Sequence, residues 1–314
     1  MSYVPGRYAA IDIGTVTCRM LVADVDAGGA ITELAKEYAI TNLGEGVDAS
    51  GVLSRAAMDR VMAAVDRYVA VRDALADAGH PVTTIAMATS AARDAANAAE
   101  LAALLAERGV ELAVIPGERE AALSFLGASS DFPGETVAVV DIGGGSTEVV
   151  AGCAGQPPER AHSFDVGCRR LTERFFRADP PTAEERAAAR DWVRAEMAPF
   201  FADLTSSVPV GRLIAVAGTA TTVVSIREAM AVYDSARVHR AYVSAADLDA
   251  VAARLESLPL AERERVVGLD PGRAPVIVAG MVILREVLAL SGLPGFTVSE
   301  SDILHGMVLE AARA

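Results

Sequence analysis

The chain has 314 residues, of which 52% are hydrophobic and 22% are charged, a composition typical of a globular protein and a length that suggests two domains. Its net charge of −14 argues against nucleic-acid binding. No apolar run reaches the roughly 18–20 residues of a membrane helix, and the N-terminus does not resemble a signal peptide, so we expect a cytoplasmic protein without membrane contacts.

Strands alternate with helices along the first predicted domain, residues 1–124, which indicates an α/β fold. Apolar runs on either side of Gly14 predict a hairpin, and a third strand is predicted to end at Gly44. Apolar residues at helical spacing predict a helix from Ser54 to about Ala78. The elements predicted after it are a strand running into a loop over 83–93, a helix over 97–108, a strand over 110–117 and a helix beginning near Glu118.

The second predicted domain, residues 125–314, repeats this outline and begins with a hairpin around three consecutive glycines. Two similar α/β halves indicate a duplication, and a cleft between them is the expected place for a ligand. The division leaves open whether the last helix packs back on the first domain. The elements predicted after the hairpin are a strand over 161–167, a helix over 181–204, a strand over 213–218, helices from Thr222, over 247–258 and over 274–293, a strand over 296–300 and a helix over 303–313.

The turns of the two hairpins are candidate phosphate-binding sites. A glycine-rich turn exposes backbone N–H groups without side chains in the way, and such concavities bind anions. The alternative is that each turn is a tight hairpin and nothing more. The candidate phosphate-binding residues are Gly14 and Thr15 in the first turn, and Gly143, Gly144, Gly145 and Ser146 in the second.

A third candidate anion site lies where a predicted strand ends in Gly218 and Thr219 and a helix follows. The N-terminus of a helix carries partial positive charge and unpaired N–H groups, both of which favour an anion. The alternative is that Thr219 or Thr221 serves as an ordinary N-cap.

Acidic residues near these turns are candidates for a general base and for metal ligands. Glu118 and Glu120 lie in the first turn of a predicted helix, where acidic residues commonly serve only the helix dipole. Beside a phosphate site, the same position suits a base that takes a proton from water. Asp12, Asp141 and Glu148 flank the hairpin turns, and carboxylates at phosphate loops commonly hold Mg²⁺.

Two arginines are candidate partners for a phosphate group. Arg19 follows the first turn, and Arg93 follows the predicted strand that runs into a loop. A guanidinium group matches phosphate geometry and stays charged at neutral pH. The alternative for each arginine is a solvated surface position or a salt bridge.

Eight segments of the chain together resemble the exopolyphosphatase / guanosine pentaphosphate phosphohydrolase (Ppx/GppA) family, within the superfamily of actin, Hsp70 and sugar kinases. The resemblance runs in order from residue 9 to residue 306. The segments are AAIDIGT with RMLVADV, ATSAARDAAN, PGEREAALSFLGA, VVDIGGGSTEVVAG, FDVGCRRLTERF, AVAGTATT, RAPVIVAGMVIL and TVSESDILHG.

This resemblance implies two ribonuclease-H-like (actin-like ATPase) domains with an active site in the cleft between them. It implies Mg²⁺-dependent hydrolysis of the terminal phosphate of inorganic polyphosphate or, in some members, of guanosine pentaphosphate, usually by a dimer. In the family's GxxEA pattern the catalytic base corresponds to Glu120 and not to Glu118. The chain looks like the short form that lacks a C-terminal HD-type domain, which implies a preference for short polyphosphate.

One departure from the family pattern concerns the first turn, where Val16 stands in place of the usual asparagine. Backbone donors from Gly14 and Thr15 survive this change, but affinity or substrate choice could differ. Val16 therefore keeps open a low-turnover binding sensor for polyphosphate or guanosine tetraphosphate. Independently of Val16, a kinase of the same superfamily and a filament or chaperone-like nucleotide module stay open as alternatives, although the glutamate of the GxxEA pattern argues against the kinase.

Overall fold

Five strands form the first sheet of the structure, a computed structural model that describes residues 2–76 and 79–314. They are β1 (Gly6–Ile13), β2 (Thr17–Val25), β3 (Ile31–Ile40), β4 (Val82–Ala88) and β5 (Leu112–Val114). Their order is β3-β2-β1-β4-β5. The pairs β1–β2 and β2–β3 are antiparallel, so the predicted hairpin is present, whereas β1–β4 and β4–β5 are parallel.

Helices cover both faces of this sheet. Because successive side chains of a strand point to opposite faces, Ala9 and Ile11 of β1 lie in one hydrophobic core, whereas Tyr8 and Ala10 lie in another with the C-terminal helix. Five helices are interleaved with β4 and β5 in this part of the chain. They are α1 (Val47–Ser50), α2 (Arg55–Leu75), α3 (Ser90–Asp94), α4 (Ala98–Ala106) and α5 (Gly117–Ser129).

Six strands form the second sheet, in the order β10-β11-β9-β6-β7-β8. They are β6 (Thr136–Ile142), β7 (Thr147–Cys153), β8 (Arg160–Phe164), β9 (Arg212–Val216), β10 (Tyr242–Ser244) and β11 (Gly295–Val298). The helices of this part of the chain are α6 (Cys168–Phe175), α7 (Ala183–Ser207), α8 (Ala217–Arg227), α9 (Ser235–Val238), α10 (Ala245–Glu256), α11 (Leu260–Arg263) and α12 (Ile277–Ser291), with a 3₁₀ turn at Pro271–Arg273 before α12. The last helix of the chain is α13 (Ile303–Ala311).

The two sheets share one strand arrangement. In the second sheet β6–β7 and β7–β8 are antiparallel, whereas β6–β9 and β9–β11 are parallel. Taking β6, β7, β8, β9 and β11 as the first to fifth strands reproduces the order 3-2-1-4-5 of the first sheet, with β10 added at the edge. The predicted α/β fold with two ribonuclease-H-like domains is confirmed.

The chain divides into two compact units. The first contains the described residues up to Gly127 together with Asp302–Ala314, and the second is Ala128–Ser301. The C-terminal helix α13 belongs to the first unit because it packs on β1, β2 and β4. The division drawn from the sequence lies between residues 124 and 125.

Some local predictions differ from the structure. The predicted loop at the end of 83–93 contains the short helix α3, because the amides of Ala92 and Arg93 donate to the Thr89 carbonyl oxygen. Helix α6 and strand β10 were not predicted. The helix predicted to end near Ala78 has Leu75 as its last helical residue, and Ala78 itself lies outside the described residues.

Within 2–76 and 79–314, none of the helices has the length and apolarity that crossing a bilayer requires.

Candidate active site

The first hairpin turn places Asp12 directly opposite Arg19 in the β1–β2 register. The amide of Gly14 donates to the Thr17 carbonyl oxygen at 2.9 Å and closes the turn. The Asp12 carboxylate accepts hydrogen bonds from Arg19 Nη2 at 2.6 Å and from Nε at 3.1 Å. Burial raises the pKa of Asp12, although the attraction of the Arg19 guanidinium opposes this shift.

A second carboxylate, that of Asp302 at the start of α13, also pairs with Arg19. Burial alone would raise the pKa of Asp302, but the Arg19 guanidinium and a hydrogen bond with His305 hold it below its ordinary value. Burial would likewise lower the pKa of His305, yet hydrogen bonds with Asp302 and Glu33 raise it to about 9. The arginine predicted to bind phosphate thus lies between two buried carboxylates of the first unit.

The candidate base lies in the first turn of α5. Glu120 is only 8% exposed, whereas Glu118 is exposed to solvent. The Glu120 carboxylate accepts a hydrogen bond at 2.6 Å from Nη1 of Arg93, which also donates to the Ile115 carbonyl oxygen at 3.1 Å. The structure therefore joins the predicted base and a predicted phosphate-binding arginine in one ion pair.

The second hairpin turn has the same backbone closure as the first, since the amide of Gly143 donates to the Ser146 carbonyl oxygen at 3.0 Å. Ser146, the last residue of the turn, and Thr147, the first residue of β7, are both buried, at 2% and 0% exposure. The three successive glycines have no side chains of their own that could cover the backbone amides of this turn. Such a turn can bind an anion through backbone amides.

Two of the three candidate metal ligands lie on this second hairpin. Asp141 and Glu148 are direct cross-strand partners in the β6–β7 register, so their side chains share one face of the sheet. Both are buried, and one Glu148 oxygen accepts a hydrogen bond from the Ser163 hydroxyl at 2.7 Å. Two neighbouring carboxylates fit Mg²⁺, which is commonly held by one or two carboxylates together with substrate phosphates.

The third candidate ligand, Asp12, fits a metal less well because Arg19 already supplies a positive charge to it. Over the described ranges, no group of three or more histidine, cysteine, aspartate or glutamate side chains is arranged to hold a metal ion. The carboxylate pair on the second hairpin is therefore the best-suited position for Mg²⁺.

The third candidate anion site begins earlier than predicted. Helix α8 starts at Ala217, which has a left-handed φ of 63°, so Gly218 and Thr219 lie inside its first turn. The N-cap is Val216 and no side chain caps this helix, so the alternative that Thr219 or Thr221 is the N-cap is wrong. A non-glycine residue with positive φ is uncommon, and no local pattern signals it.

Arg273 was missed as a candidate from the sequence. A Cβ atom added to Gly218 would overlap the Arg273 guanidinium, so this arginine lies directly against the first turn of α8. Its position in the RAPVIVAGMVIL segment was the available signal, but the arginine is distant from Gly218 in the chain. Thr219 packs in the same close manner on Gly280 of α12.

Comparison with known proteins gives consistent similarities. The family described as the Ppx/GppA phosphatase family matches residues 21–313. The chain is 38% identical over 322 aligned residues to exopolyphosphatase 2 of Mycobacterium tuberculosis, and the alignment covers 98% of each protein.

Solved structures agree with these sequence similarities. A crystal structure of an exopolyphosphatase-like protein aligns with a TM-score of 0.90 at 32% identity, covering 98% of both chains. A Ppx/GppA family member from Aquifex aeolicus aligns with a TM-score of 0.80 at 28% identity, covering 98% of this chain and 97% of that one.

Proposed function

Because the chain belongs to the Ppx/GppA phosphatase family, we propose that it is an exopolyphosphatase, which hydrolyses the terminal phosphate of inorganic polyphosphate. The observation that carries this proposal is the 38% identity to a protein named exopolyphosphatase over 98% of both chains. The geometry within each unit agrees with it, since one unit holds a buried carboxylate paired with an arginine and the other a glycine turn beside two carboxylates.

In the proposed reaction Glu120 acts as the general base. Water attacks the terminal phosphorus while its proton passes to the Glu120 carboxylate, and the bond from that phosphorus to the bridging oxygen breaks. The bridging oxygen leaves with the shortened chain, and orthophosphate is the second product. The hydrogen bond from Arg93 restricts the rotation of the Glu120 carboxylate and so orients it for the proton transfer.

Backbone amides of the glycine turn bind the terminal phosphoryl group in this proposal. Phosphoryl transfer requires mainly positioning and charge stabilisation from the protein, and fixed N–H dipoles supply both. Gly14 and Thr15 contribute further amides, which the valine at position 16 does not remove. Asp141 and Glu148 would hold Mg²⁺. When bound, Mg²⁺ offsets the negative charge that develops on the phosphate oxygens.

The test is phosphate release in the presence of Mg²⁺ from tripolyphosphate, long-chain polyphosphate, guanosine pentaphosphate and ATP. We expect phosphate release from polyphosphate. Comparing the rates for tripolyphosphate and long-chain polyphosphate tests the expected preference for short chains. Glu120→Gln should lower the rate by about 10²–10⁴-fold, the usual contribution of a positioned base. Glu118→Gln is the matched control because it removes the same charge from an exposed position in the same helical turn.

The possible outcomes separate the alternatives. Phosphate release that falls only in the Glu120 variant supports the proposed base. Activity of Glu120→Gln within tenfold of the wild type would exclude Glu120 from that role. Preference for guanosine pentaphosphate would identify a pentaphosphate phosphohydrolase instead. ATP consumption that requires an added acceptor would indicate a kinase.

A further inference from the structure

The carbonyl groups of the second hairpin turn are held by the helix that follows β8. The amide of Cys168 donates to the Gly143 carbonyl oxygen at 3.0 Å, and the amide of Arg169 donates to the Gly144 carbonyl oxygen at 2.9 Å. Both donors lie in the first turn of α6, where N–H groups have no partner within the helix. The first turn of α6 therefore satisfies its own amides with the carbonyl oxygens of the glycine turn.

Arg170, the next residue of α6, extends this contact to Gly145, the next residue of the turn. Its backbone amide donates to the Gly144 carbonyl oxygen at 3.2 Å, and its side-chain Nε donates to the Gly145 carbonyl oxygen at 2.9 Å. Three successive carbonyl groups, from Gly143 to Gly145, are thus directed toward α6.

The direction of these carbonyl groups determines the direction of the amides that follow them. In a trans peptide the C=O and N–H groups point in opposite directions. The amides of Gly144, Gly145 and Ser146 consequently point away from α6. In the part of the chain that the structure describes, no residue accepts a hydrogen bond from these three amides. Successive unbonded amides on one side of a turn are the arrangement that binds an anion.

Gly167, immediately before α6, makes this close approach possible. Its backbone is extended, with φ of −133°, so any residue could adopt its conformation. The constraint is steric, because an added Cβ atom would overlap the carbonyl group of Gly144 and the carbonyl carbon of Gly145. The preceding residue is also fixed, since the Thr147 hydroxyl donates to the Val166 carbonyl oxygen at 2.5 Å.

The first unit contains the same arrangement independently. After β3, the amide of Gly44 donates to the Thr15 carbonyl oxygen at 2.9 Å, and the amides of Thr41 and Asn42 both donate to the Val16 carbonyl oxygen at 2.9 Å. A Cβ atom on Gly44 would overlap the Thr15 side chain. In both halves, a glycine after the third strand lies against the hairpin turn, and amides of that glycine or of residues near it donate to carbonyl groups of the turn.

We propose that Gly167 and Arg170 are positioning residues that direct the amides of the Gly143–Ser146 turn toward the terminal phosphoryl group of the substrate. This inference rests on the proposed function. Neither residue needs to touch the substrate. Gly167 permits the contact between the turn and α6, and Arg170 fixes the orientation of the last carbonyl group of the turn.

The first experiment compares Gly167→Ala with Gly211→Ala. Gly211 is the matched control because the nearest described atom that an added Cβ would meet is the Thr136 carbonyl oxygen, at 3.8 Å, an ordinary contact. Displacement of a binding group by about 1 Å can cost roughly 100-fold in rate. We therefore expect kcat/KM for tripolyphosphate to fall by about 10- to 100-fold in Gly167→Ala, mainly through KM, and to stay within about twofold in Gly211→Ala. Thermal unfolding of both variants shows whether they fold.

The second experiment compares Arg170→Met with Arg190→Met. Both variants remove one positive charge from the second unit, but among the described residues the Arg190 side chain pairs only with its exposed neighbour Asp191. We expect KM to rise severalfold in Arg170→Met and to stay unchanged in Arg190→Met. Dissociation constants for inorganic phosphate, measured by calorimetry, should follow the same order, and this readout does not depend on turnover.

The outcomes distinguish the inference from the proposed function. Wild-type protein that releases no phosphate but binds inorganic phosphate would contradict the exopolyphosphatase activity, and the binding series would still decide on Gly167 and Arg170. A folded Gly167→Ala variant with kinetics and phosphate binding like Gly211→Ala would overturn the inference. If Gly167→Ala does not fold, unchanged values for Arg170→Met would overturn it. Wild-type protein that neither hydrolyses nor binds phosphate would overturn both.

Discussion

Asp12 and Asp141 occupy the same position in two hairpins of the same design, but their cross-strand partners carry opposite charges. Asp12 faces Arg19 in the β1–β2 register, whereas Asp141 faces Glu148 in the β6–β7 register. In the first pair, the positive charge of Arg19 offsets the negative charge of Asp12. The second brings two carboxylates together in a buried place, where like charges repel unless a cation or a proton intervenes. The two hairpins thus share the backbone closure of the turn and differ in the charge of the residue that faces the aspartate.

The same contrast extends to what surrounds each pair. In the first unit Arg19 also pairs with Asp302, so an arginine lies between two carboxylates from distant parts of the chain. In the second unit Glu148 accepts a hydrogen bond from the neutral Ser163 hydroxyl. This hydrogen bond orients the Glu148 carboxylate. We therefore expect the first pair to contribute to stability and the second to activity.

The largest expected effect comes from breaking the carboxylate pair of the second unit. A metal ion contributes several kcal/mol to stabilising the charge of a transition state, so Asp141→Asn should lower the Mg²⁺-dependent rate of phosphate release by about 100-fold or more. The same substitution keeps the shape of the side chain, so we expect the variant to stay folded in the absence of Mg²⁺. Kinetics over a range of Mg²⁺ concentrations and thermal unfolding check both parts. A variant that loses stability but keeps its activity would reverse the assignment.

Breaking the pair of the first unit should act mainly on stability. Arg19→Met leaves Asp12 and Asp302 buried without their shared countercharge, and removing one partner of a buried ion pair typically costs about 3–5 kcal/mol. Chemical denaturation measures this change in the free energy of unfolding. Arg55→Met is the control, since Arg55 is 72% exposed and its pair with Asp59 should contribute less than about 1 kcal/mol. Equal losses in the two variants would contradict the role of Arg19.

The smallest expected effect is a dependence of stability on pH. The pKa of His305 is raised to about 9 from its ordinary value of 6.5, so its protonated form stabilises the folded state fully below pH 6.5 and loses this effect as pH rises through 9. The loss amounts to at most about 3 kcal/mol. Denaturation at several pH values between 6 and 10 should show it in the wild type. His305→Gln should flatten the profile, whereas the exposed His80→Gln should not.

Patterns local in the chain determined much of the fold and part of the candidate site. Alternating apolar strands around Gly14 and around the three glycines predicted both hairpins, because a glycine turn and flanking period-2 runs are encoded within about twenty residues. The choice of Glu120 over Glu118 came from a motif resemblance. Its role as the base stays a prediction, but the burial of Glu120 and the exposure of Glu118 agree with the choice.

Tertiary structure alone decided some contacts between residues that are distant in the chain. The pairing of Arg19 with Asp302 joins residues far apart in the chain, and the position of Arg273 against Gly218 joins two others, so no local spacing encodes them. The start of α8 at Ala217 likewise depends on a left-handed backbone that alanine does not favour by itself.

The sequence by itself thus determined the α/β class, the duplication and the positions of the glycine turns, because periodicity and turn chemistry act between near neighbours. Only the tertiary structure decided that Arg19 also pairs with Asp302, that Arg273 lies against Gly218, and which helix orients the amides of the glycine turn. These contacts depend on packing between segments that are distant in the chain, and their free energies appear only once the sheets and helices have come together.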